Sequence, residues 1–174
     1  GTGYKGYVAD QAATFAVGRV TDEVSKLLRA TEDSFWAGVG ACVTGNRLGD
    51  VSAAIQGVIE AAGFWAVREF VGHGIGRDMH EGPEVPNFGR AGTGPLLRPG
   101  LVLAIEPMVT QRRTRVKVLA DGWTAVTADG SLAAHYEHTV AITTEGPRVL
   151  TAEDQSPRGQ GVASEAGIGG MHGA

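Results

Sequence analysis

The sequence predicts an α+β domain with two helices and a largely antiparallel sheet. Three observations predict it. Two stretches carry apolar residues at helical spacing, a run of short β-rich segments follows them, and Asp-Gly pairs punctuate that run at Asp121-Gly122 and Asp129-Gly130.

The elements follow in chain order. "YVADQAATFAVG" (7–18) reads as a strand of small, aromatic and β-branched residues closed by Gly18. Thr21 then precedes Asp22 and Glu23, a helix cap with acids in the first turn. Val24, Leu27, Leu28, Phe35 and Trp36 continue at helical spacing, so 22–38 is a predicted helix. In "TGNRLGD" (44–50) Asp50 is placed to cap a second helix; Val51, Ile55, Val58 and Ile59 form its apolar face and Gly63 ends it. "WAVREFVG" (65–72) reads as a short strand. Residues 72–100, dense in Gly and Pro, read as irregular, and a structureless segment of that length in a compact domain is usually functional or disordered. "LVLAIEPMV" (101–109), a segment near 114–119, "WTAVTA" (123–128) and "AAHYEHTVAIT" (133–143) complete an antiparallel set. Residues 153–174 lack periodicity and read as a disordered tail.

Composition narrows the function classes. With 174 residues and 43% apolar content the chain can bury one core. A net charge of −4 argues against a general nucleic-acid surface, and no apolar run suits a membrane span. The single Cys42 cannot form an internal disulfide, which fits a reducing, cytoplasmic setting. The opening "GTGYKGYVAD" begins on glycine and enters a strand pattern almost at once, as a chain cut from a longer one would.

The chemistry lies in acids placed where apolar strands are expected. Glu106 interrupts "LVLAIEPMV", Asp10 sits in the first strand, Glu137 in the last, and His73 in the glycine-flanked "GHGIG". Carboxylates brought together raise one another's pKa, and the short runs holding Glu106 and Glu137 contain no Lys or Arg. A divalent metal site would compensate them. Oxygen ligands with an imidazole suit Mn, Fe, Co or Zn without choosing among them, and three carboxylates suit a pair of ions. Each residue alone has a plainer reading: a lone buried Glu is more often an ion pair or a hydrogen-bonded core group, and glycines around His73 could serve only a tight turn. His135 shares a strand face with Glu137, so it either lines the site or packs ordinarily; His138 turns to the other face.

The motifs "YVADQAATFAVG", "GHGIGRDMHEGPEVPNFG", "LRPGLVLAIEPMV" and "DGWTAVTADGSLAAHYEHTVAIT", in this order and spacing, resemble the C-terminal half of type I methionine aminopeptidases over about residues 1–152. The resemblance implies half of a pita-bread fold, an antiparallel sheet with two helices on one face. It implies two divalent metal ions, with Asp10 and Glu137 bridging them and His73 and Glu106 holding one. Glu106 would also move protons to and from the attacking water. His80, in "DMHE", matches a histidine that contacts the substrate peptide, and Trp123 an aromatic of the methionine pocket. Met79 stands where a Phe usually completes that pocket.

The implied activity is removal of the initiator methionine from nascent polypeptides, with the ribosome as a candidate partner and no role for nucleic acid or membrane. One departure matters. The first ligand Asp would lie eleven residues before Asp10, upstream of Gly1. The resemblance therefore implies an N-terminally truncated enzyme with a missing N-terminal half, weak or no activity alone, and an exposed sheet edge. Three alternatives remain. Xaa-Pro aminopeptidases and prolidases share the fold but usually show Arg-x-Glu where this chain has "HYEHT". A non-catalytic binding module would typically have lost ligands. A natural half would assemble with a separate N-terminal chain.

Overall fold

Helix α1 (Asp22–Ala41) starts where its cap predicts, with the Thr21 hydroxyl accepting from the Val24 amide at 3.3 Å. It runs a turn further than the apolar spacing indicated. Helix α2 (Leu48–Ala61) is capped differently from expectation. Arg47 occupies the cap position, and Asp50 lies inside the first turn, where its carboxylate accepts the Arg47 amide at 2.7 Å. Gly63, at φ 84°, takes the left-handed conformation just beyond the helix end. The computed structural model describes residues 1–152, so the tail read at 153–174 lies outside the described residues.

The first predicted strand is split. β1 (Thr2–Tyr4) and β2 (Tyr7–Ala9) form a small hairpin, and β3 (Gln11–Ala13) joins the main sheet, with Asp10 at the break. The 65–72 segment is not one strand: Trp65–Ala66 pairs as β4, and Gly72 opens the next strand. The segment 72–100 is more ordered than its Gly and Pro content indicated, for it holds β5 (Gly72–Gly74) and β6 (Glu81–Val85). Then follow β7 (Val102–Ile105), β8 (Met108–Thr110), the β9 (Val116–Val118) and β10 (Ala125–Thr127) hairpin, β11 (Ala133–Thr143) and β12 (Gly146–Val149).

β11 organises the sheet. One edge pairs antiparallel with β7 and β8, the other with β3 and β12. β7 and β8 are one strand interrupted at Glu106-Pro107, because proline has no amide to donate to the ladder. On the far edge of that interrupted strand from β11, β5 and then β6 lie beside β7, and β4 lies beside β8.

Strand alternation divides the sheet into two faces. Leu103, Ile105, Val109, Val140 and Ile142 face the helices and join Leu27, Phe35, Val51, Ile55 and Ile59 in the buried core. His138 belongs to this face, its ring 5.4 Å from that of Phe35. Both helices thus cover one face and leave the other for chemistry.

The glycines around His73 serve close strand packing and not a turn. β5 is fully buried, and a Cβ on Gly74 would meet the backbone of Gly82, including its carbonyl carbon at 2.7 Å. A Cβ on Gly72 would meet the Ala104 carbonyl oxygen. Only backbone-thin residues let β5 lie between β6 and β7 with His73 inward. Gly74→Ala should therefore destabilise the chain by about 1–3 kcal/mol, read as a lower midpoint in urea unfolding.

Candidate metal centre

β11 pairs with β7 and β8 in one unbroken register, His138 opposite Ile105 and His135 opposite Met108. That register sets Glu106 directly across from Glu137. Directly opposed residues share a face, with Cβ atoms about 5 Å apart, and like charges so placed repel. The same logic extends outward. His73 pairs with Ala104, two residues before Glu106, so it points to the same face. Asp10 follows the β3–β11 register to lie opposite Thr139, two residues after Glu137. Four elements far apart in sequence thus aim four ligand-type side chains into one place.

The distances agree. Ligand atoms of Asp10, His73 and Glu137 lie within 4.8 Å of one another, as do those of Glu106, His135 and Glu137. His73 Nε2 is 3.6 Å from Glu106 Oε1. Glu137 and His73 are buried, and the Glu106 and Asp10 side chains are 14% and 20% exposed.

Neighbouring groups hold three of the four residues in place. The His73 Nδ1 lies 2.8 Å from the Gly74 carbonyl, which can only accept. Nδ1 therefore donates there, and Nε2 is the ring nitrogen that faces the acids. The Asp10 peptide is clipped on both sides by one buried hydroxyl: its amide donates to Thr139 Oγ1 at 2.9 Å, and that hydroxyl donates to its carbonyl at 2.9 Å. Asn87, fully buried, donates to the Glu106 carbonyl at 3.0 Å. Sequence reasoning singled out neither Thr139 nor Asn87. Thr139 had a signal, since it lies two residues from Glu137 on the ligand face; Asn87 had none, because its reach depends on the path of the loop after β6.

The electrostatics fit a cation. Among the described residues no Lys or Arg pairs with Asp10, Glu106 or Glu137; the only non-imidazole cation is the Gly1 α-ammonium, 3.2 Å from Asp10 Oδ1. Burial first, then the charges of Glu106 and Asp10, push the Glu137 carboxyl up to about 8, partly offset by that ammonium. A buried carboxyl that cannot ionise comfortably beside two others, with an imidazole nitrogen aimed at it, is a donor set suited to a divalent ion.

The remaining candidates divide. The ring of His80 lies 4.4 Å from that of His73, so His80 borders the cluster. Met79 is half-buried against Gly1. Trp123, on the turn between β9 and β10, is 89% exposed.

Comparison with known proteins gives the family. Residues 1–144 match metallopeptidase family M24. The chain belongs to this family. It is 59% identical over 146 residues to a methionine aminopeptidase of Clostridium perfringens, covering 84% of this chain and 59% of that protein. The crystal structure of a methionine aminopeptidase from Thermotoga maritima superposes with a TM-score of 0.84 at 48% identity, covering 86% of this chain and 60% of that one. A prolidase from Pyrococcus furiosus gives a TM-score of 0.65 at 21% identity, covering 87% of this chain and 39% of that one, which shows a shared fold alone. The chain thus spans about three fifths of the length of the methionine aminopeptidases it matches. The α+β, pita-bread class expected from the sequence is the one M24 members share. No helix among the described residues is long and apolar enough to cross a membrane.

The raised Glu137 pKa sets a pH dependence for the metal-free chain. Its folded value, about 8, exceeds its ordinary 4.5, so folding favours the protonated form. That contribution is fully present below the ordinary value and is lost as pH rises through about 8. Glu137→Gln should remove this loss. Its melting temperature should exceed that of the unsubstituted chain by a margin that widens from pH 5 to pH 8 in chelator, and the advantage should shrink or reverse with added Mn(II).

Proposed function

We propose that residues 1–152 are the C-terminal half of a type I methionine aminopeptidase, which removes the initiator methionine from nascent polypeptides. The observation that carries this reading is the convergence of Asp10, His73, Glu106 and Glu137 on one sheet face without a Lys or Arg to neutralise them. The relatives named methionine aminopeptidase support the substrate class.

Two divalent ions, Co, Mn, Fe or Zn, would be held by Asp10, His73, Glu106 and Glu137. When bound, they would supply charge that acidifies a water and polarises the carbonyl of the first peptide bond. The chain's own groups do the rest. Glu106 accepts a proton from the attacking water and passes it to the departing amine. His80 donates a hydrogen bond to the carbonyl oxygen as charge grows there. Met79 offers a deformable apolar surface to the methionine side chain, and Trp123 an aromatic one.

The rest of the relatives' length would add the first Asp ligand and cover exposed apolar groups such as Phe15, 68% exposed, and Trp123. The setting would be a reducing cytoplasm, with the ribosome as a candidate partner.

Hydrolysis of Met-Ala-Ser by the chain with Mn(II) or Co(II) tests it. Slow methionine release, abolished by chelator and by Glu106→Gln, is expected, at least about 100-fold below full-length relatives because a ligand is lacking. Rates equal to those relatives would refute the incomplete site. Preferential cleavage of Ala-Pro would move the chain to the prolidase-type reading.

A further inference from the structure

His135 occupies a position the metal-centre reading leaves without a task. It lies on β11 two residues before Glu137, so its ring shares the ligand face. Its Nε2 is buried and makes no hydrogen bond, yet stands 3.4 Å from Glu106 Oε2 and 3.8 Å from Glu137 Oε2. The other oxygen of Glu106 faces His73 at 3.6 Å. The two oxygens of one carboxylate therefore look at two different imidazoles. The backbone of His135 is held firmly: its amide donates to Thr14 Oγ1 at 2.9 Å, and the Thr14 hydroxyl donates to its carbonyl at 3.0 Å.

We propose that His135 is a positioning residue for Glu106: its Nε2–H holds Oε2, so that Oε1 is presented to the ion shared with His73. The inference rests on the metal-centre reading. The two imidazoles are not equivalent. His73 has its Nδ1 proton committed to Gly74, so Nε2 is the atom it offers to an ion. His135 has an unpartnered Nε2 and is free to donate there. A carboxylate with one oxygen on an ion leaves the other buried and in need of a donor, and without one its terminal torsion is loose. His135 Nε2 faces Oε2, and the 3.4 Å gap exceeds an ordinary N–H···O bond by only a few tenths of an ångström. A small turn of the ring, whose side chain is 34% exposed and so has room, closes it.

Metal titration of the full chain tests the assignment, with Co(II) followed by calorimetry and by its visible absorption. His135→Ala should weaken Co(II) binding about 10–100-fold, the usual loss when the partner of a ligand is removed. His135→Gln should restore most of the affinity, because a carboxamide N–H reaches the same oxygen, and should leave the Co(II) absorption bands where they are in the unsubstituted chain. Equal affinity for His135→Ala and the unsubstituted chain overturns the proposal. So does a shifted spectrum with unrestored affinity in His135→Gln, which would make His135 a direct ligand. A flat titration in all three chains, each melting cooperatively, overturns the metal centre itself and the role of His135 with it.

Discussion

Two glutamates facing each other across adjacent strands impose the constraint on which the rest of this structure depends. Glu106 and Glu137 are set opposite by a register that runs unbroken through β7, β8 and β11. Neither can move away, because the strands that carry them are anchored on their other side by the buried core. The repulsion has two remedies: a proton or a cation. Without metal the proton goes to Glu137, the more buried of the two. The surrounding groups are arranged for the other remedy, since His73 is oriented by Gly74 with its Nε2 inward and the Asp10 peptide is clamped by Thr139.

The two faces of the sheet divide the labour. The helices need only one apolar face, and they take the one carrying Ile105, Tyr136 and His138. The opposite face is left without a helix, which is why acidic residues can gather there with modest exposure. The interruption at Pro107 falls next to Glu106, so the ladder is weakest at one of the two opposed acids. Asn87 mends that weakness by binding the Glu106 carbonyl from outside the sheet.

Much of this was legible in the residues. Helical spacing and the Thr21 cap located α1, and the alternation of "AAHYEHTVAIT" located β11 at its observed bounds and turned His138 away from the acids. The four ligand candidates were visible as charges inside apolar runs. The strands within 72–100 were not, because Gly72 and Gly74 read as turn formers when their lack of a Cβ in fact permits tight strand packing. The cap of α2 was misplaced by three residues, since an Asp inside the first turn can reach back to the amide of a capping Arg. Thr139 and Asn87 escaped notice because a hydroxyl or amide acquires a task only when another segment's peptide arrives beside it. Trp123 shows the reverse: a motif position legible by resemblance stands in the open among the described residues.

The strict alternation along β11 has an effect on folding as well as on chemistry. A slip of this strand by one residue would carry Glu137 and His135 beneath the helices and turn Tyr136 and His138 out to solvent. Burying a carboxylate against Phe35 and Ile105 would cost more than any mismatch in the turns could recover. The clustered acids therefore also act as a proofreading device, making every misaligned sheet expensive.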